Sequence, residues 1–138
     1  MDDPHNLQRF VDAQAPVIEQ VFRELQTGRK SSHWMWFIFP QLRGLGRSPM
    51  AMKYAIASRE EAEAYLRHEV LGPRLSECTR LVNLVAGRCI AEILGHPDDL
   101  KFHSSMTLFA SVASAPDKKI FYDALDKYFA GKFDPLSV

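Results

Sequence analysis

The stretch His33-Trp34-Met35-Trp36-Phe37-Ile38-Phe39-Pro40-Gln41-Leu42-Arg43-Gly44-Leu45-Gly46 decides how the rest of the chain is read. It holds both tryptophans and two of the nine phenylalanines, then runs into a polar, glycine-punctuated turn. Its apolar part is too short for periodicity to separate a buried strand from a buried helical turn, and Pro40 ends it either way. Rings of this size bury large areas, so core packing is their commoner fate. The alternative is a stacking wall for a planar ligand. Gln41 would then supply a donor and an acceptor, and Arg43 a rigid cationic fork, beside the amides of the turn.

On either side of this block the pattern is helical. Leu7, Phe10 and Val11 are spaced i, i+3, i+4, and Ile18, Val21, Phe22 and Leu25 repeat that spacing after a break at Pro16. Gly28 is placed to stop the second stripe. Ser48-Pro49 reads as an N-cap followed by proline, ahead of a short helix over 50–55. Ser58-Arg59-Glu60-Glu61 matches a capping box. Leu75, Cys78, Val82 and Val85 form a stripe on a helix that starts near Leu71 and is closed by Gly87. Ile90, Ile93 and Leu94 form a short helix ended by Gly95. Pro97-Asp98-Asp99 opens another that runs through Phe109, with carboxylates at the favourable end of the helix dipole. Phe121, Ala124, Leu125 and Tyr128 mark a last helix stopped by Gly131. No convincing alternating strand and no βαβ rhythm is present. The expectation is one mainly α domain over 1–138, compact and irregular, with six to eight mostly short helices and ends that fray.

Composition agrees. A chain of 138 residues with 46% hydrophobic and 25% charged residues fits one globular domain. Seventeen basic and seventeen acidic side chains cancel, which leaves no electrostatic footprint for nucleic acid or an anionic membrane. Cys78 and Cys89 make no disulfide framework, and both read as small buried residues on helices. The start MDDPHN is not a secretory signal, and the run Trp34–Phe39 falls far short of the ~20 residues of a membrane span. A soluble, cytoplasmic setting is expected.

The block and several later segments also carry a resemblance. HWMWFIFPQLRGLGRSPMA at 33–51, YAI at 54–56, EAEAYL at 61–66, LGPRLSEC at 71–78, EILGHPDDLKFHSSMTLF at 92–109 and LDKYFAGKFDP at 125–135 resemble the domain of unknown function 1810 family. The resemblance covers roughly Asn6 to Pro135. It implies a small, mainly helical protein and supplies no catalytic residue to carry over.

A second polar concentration lies at 98–107, where Asp98, Asp99, Lys101, His103, Ser104, Ser105 and Thr107 fall within ten residues. Hydroxyls on a helix usually bond back to the i−4 carbonyl or face a neighbouring helix. The rival reading puts Lys101, Ser104 and Ser105 in one cleft with His33, Trp36, Gln41 and Arg43. Neither GLGRS nor the serines match a phosphate-binding or nucleophile motif. The five histidines and two cysteines show no metal spacing, and no cofactor is implied. Glu77 and Glu92 read as hydrated helix-surface groups. Three functions stay open: a small-molecule-binding domain, suited to a nucleotide-like or other polar planar ligand; a hydrolase or transferase using the same cleft; and a module that docks another protein through the aromatic patch. Oligomeric state and catalytic residues are unassigned.

Overall fold

The computed structural model describes residues 3–137. Those residues form nine α-helices: α1 Gln8–Gln14, α2 Ile18–Thr27, α3 Met35–Ile38, α4 Pro49–Lys53, α5 Arg59–Arg67, α6 Leu71–Leu84, α7 Ile90–Leu94, α8 Asp98–Val112 and α9 Ala115–Phe129. A 3-10 turn at Pro135–Ser137 follows. With that turn included, 64% of the described residues are helical. The helix beyond the expected eight is α3, a single turn made by the ambiguous aromatic run. Three of its four residues, Met35, Phe37 and Ile38, are buried, and one turn is too short to show a period.

The stops and caps act where local chemistry requires. Gly28 takes φ +76° at the end of α2, a left-handed conformation that glycine adopts without penalty. The Ser48 hydroxyl accepts from the Ala51 amide, and Ser58 accepts from the Glu61 amide. The Glu61 carboxylate reaches back one residue further than a capping box would, to the Ala57 amide. α4 ends at Lys53 and α6 at Leu84, both short of the expected stops. The C-cap of α9 is Ala130, at φ +54°, with Gly131 just after it.

α8 is the central element. Residues 104–110 are all buried, together with Phe102, so the helix is enclosed on nearly every side. α9, α5, α7 and the C-terminal turn pack around it. Rings bind the layers together. Tyr65 lies 5.1 Å from Phe10 and 5.4 Å from Phe109, and Phe39 meets Phe102 edge-on at 5.0 Å. No strand forms among the described residues. One isolated parallel bridge, Leu42 with Ile56, ties the turn after α3 to the segment before α5. No helix among them is long and apolar enough to cross a membrane.

Cys78 is buried on α6, but Cys89 is exposed. The expectation for Cys89 is corrected: it is the N-cap of α7, outside the helix, in a reciprocal cap with Glu92. The α7 stripe begins one residue later, at Ile90, so Cys89 never reaches the core.

Candidate functional site

The aromatic block is anchored by a residue that sequence reading missed. Glu24, on α2, is 4% exposed. Its Oε1 accepts from the Ser31 and Ser32 amides and from the Trp34 indole N–H; its Oε2 accepts from the Ser32 hydroxyl and the Gln20 amide. Burial opposes the charge, but the donors outweigh it and hold the carboxyl down at about 2. Trp34, 1% exposed, is thereby fixed as core. Buried Gln14 does similar work from α1, donating to the Phe37 carbonyl at 2.7 Å and the Tyr65 hydroxyl at 3.0 Å.

Trp36 behaves differently. It is only partly buried, and its indole N–H is enclosed without a partner among the described residues. The Lys101 ammonium lies 5.4 Å from its ring centroid. Lys101 also pairs with Asp98 at 3.4 Å, and Asp98 pairs with Lys30 at 3.0 Å. Thus Trp36 and Lys101 meet, and elsewhere between the same two segments Phe39 meets Phe102. His33 is exposed next to Trp34.

The other expected residues go elsewhere. The Arg43 amide donates to the Ile56 carbonyl and the Ile56 amide to the Gln41 carbonyl, each at 2.8 Å. This bridge ties the backbone of 41–43 to the segment before α5. A Cβ on Gly46 would lie 2.6 Å from that of Ala51, so the turn sits against α4 because position 46 has no side chain. Arg43 lines a cleft of about 480 Å³ with Pro4, His5, Arg9, Met52, Lys53 and Glu61 among its walls, and no wall comes from α8. Ser104 bonds its own i−4 carbonyl, Leu100, and donates to Asp134 at 2.8 Å. Thr107 accepts from the Asp134 amide, and Ser137 donates to the Asp134 carboxylate. The hydroxyls of α8 therefore hold the C-terminal segment down. Ser105 is fully buried, its hydroxyl unpartnered.

Arg9 and Arg43 face the same cleft in opposite states. Arg9 spends all five donors inside the fold: Nε on the Lys53 carbonyl, Nη1 on the His5 and Asn6 carbonyls, Nη2 on the Ala55 carbonyl and the Glu61 carboxylate. The Arg43 guanidinium has no hydrogen bond or ion pair among the described residues. The only wide signals for these arrangements in the sequence were a glutamate beside an apolar stripe (Glu24 next to Leu25) and an arginine one position before Phe10.

Burial pushes the Cys78 thiol up to about 12, with Glu77 adding to the effect. Among the described residues no group of three or more histidine, cysteine, aspartate or glutamate side chains could hold a metal ion. Glu77 pairs with Arg80 on the surface, and Glu92 accepts from the Cys89 amide.

The model of a family described as "Protein of unknown function (DUF1810)" matches residues 4–138. A crystal structure of the conserved hypothetical protein Rv1873 from Mycobacterium tuberculosis is 59% identical, covers 99% of this chain and 96% of its own, and superposes with a TM-score of 0.95. No curated protein matches. With the family's model spanning the helical domain from Pro4 onward, the chain belongs to the DUF1810 family of proteins of unknown function.

Proposed function

We propose that the chain is a small-molecule-binding domain whose site is the cleft lined by Arg43. The observation that carries this reading is the contrast of the two arginines. Arg9 is consumed in building the cleft, and Arg43 stands on its wall with every side-chain donor unspent among the described residues. Ligand sites combine apolar walls with a few placed polar groups. Here Pro4, Met52, Ala55 and Ala57 provide the first, and Arg43 with His5 the second. The volume, about 480 Å³, falls in the range of about 300–1,000 Å³ usual for such pockets.

The acid–base and docking readings draw less support. Glu61, the cleft's carboxylate, is committed to Arg9 and the Ala57 amide. Trp34, Phe37 and Phe39 are turned inward, with little surface left for a partner protein. The test is a two-dimensional amide spectrum of the whole chain titrated with a library of small polar organic fragments. Shifts gathered on residues 4–9, 43 and 52–61 are expected. Shifts scattered over the surface, or gathered elsewhere, contradict the reading.

A further inference from the structure

We infer that the cleft takes a small organic oxyanion, a phosphate monoester or a carboxylate, and that Arg43 and Lys53 hold its charge. This deepens the reading above and rests on it. The chain as a whole is neutral, but the cleft is not. Among the described residues its walls carry Arg9, Arg43 and Lys53 against one carboxylate, Glu61. Glu61 is neutralised by Arg9 at 2.8 Å. Two positive charges remain, and among the described residues neither has an ion-pair partner. Lys53 lies 5.3 Å from the Tyr54 ring centroid, a contact that orients an ammonium without cancelling it.

Both cations are rooted in backbone pinned to the cleft. The Lys53 carbonyl accepts from Arg9 Nε at 2.9 Å. The Arg43 amide is bridged to Ile56. The backbone that carries them is ordered before binding, so only the two side chains remain to be ordered when the ligand arrives. Apolar walls around them focus the field, and Arg43 offers the planar fork that matches a carboxylate or phosphate. An amine or metal cation would meet two like charges here, and a neutral sugar would leave both unused.

The experiment is calorimetric and amide-shift titration of the full chain with adenosine monophosphate, inorganic phosphate, succinate and adenosine. The charged probes are expected to shift the cleft residues, and adenosine is not. Response to phosphate probes alone assigns a phosphate ligand, and response to succinate alone a carboxylate; either supports the inference. Arg43→Ala should weaken binding about tenfold or more, the loss of a hydrogen bond to a charged group. Arg43→Lys should restore only part of it, and Lys53→Met should weaken it less. Arg23→Ala, an equal change in net charge away from the cleft, should change nothing. If adenosine binds the cleft as well as its monophosphate, and Arg43→Ala makes no difference, the anion inference is overturned while the cleft reading stands. If none of the four probes reaches the cleft, the inference is also overturned, and the fragment titration decides whether the cleft reading falls with it.

Discussion

Segment 31–34 and turn 41–47 flank the single turn α3, and they treat polar groups in opposite ways. Around 31–34, two amides, a hydroxyl and an indole N–H converge on the Glu24 carboxylate. In the turn, Arg43 keeps its fork exposed and unbonded on the wall of a cleft. Polar groups satisfied inside a fold hold it together. Polar groups placed on rigid backbone and left unsatisfied are available to something else. The two tryptophans differ in another way: the Trp34 N–H has a buried partner, and the Trp36 N–H is enclosed with none among the described residues, so it is neither satisfied nor available.

The comparison can be broken most easily at Trp34. Trp34→Ala should cost about 3–5 kcal/mol in urea denaturation, as a large ring leaves a packed core, and Trp36→Ala should cost clearly less. Equal losses would dissolve the contrast. Glu24→Gln comes next, at about 2–3 kcal/mol, because a charge-assisted acceptor is exchanged for a weaker one that also brings donors. Glu24 also sharpens the comparison through pH. Its folded-state pKa, about 2, lies below the ordinary 4.5. A depressed carboxyl contributes stability that is fully present above about pH 4.5 and lost as pH falls toward 2. Glu24→Gln should therefore flatten the acid limb of the stability profile over that window. An unchanged limb would mean that the hub does not hold its charge. A smaller effect is expected at Ser104→Ala, about 1 kcal/mol, read as faster proteolysis of the segment after Phe129.

Local features were legible because they are written in a few neighbouring residues. Ser48-Pro49, Ser58 and Gly28 act as their types require. The start of the central helix was legible at Pro97-Asp98-Asp99. The Glu24 hub was not legible, because its partners are side by side only after α2 ends and the chain doubles back. For the α8 hydroxyls the favoured reading, a bond back to the i−4 carbonyl, holds at Ser104, but its shorter bond is to Asp134, 30 residues further on, and no local pattern announces so distant a partner. Cys89 was misread because a one-residue difference in where α7 begins decides between core and surface. Of the candidate site residues, Trp36 and Lys101 do come together. Arg43 was singled out for its chemistry, and its cleft depends on N-terminal residues that no spacing connects to it.

The most direct test is to compare Arg9→Ala and Arg43→Ala, two substitutions of one residue type on one cleft, by urea denaturation at neutral pH. Arg9→Ala abandons five acceptors, one of them the buried Glu61 carboxylate, and should cost about 3 kcal/mol or more. Arg43→Ala removes no internal bond and should stay within about 0.5 kcal/mol of the parent. Comparable losses at both positions would show that Arg43 is a structural residue like Arg9, and would contradict the division between consumed and available polar groups.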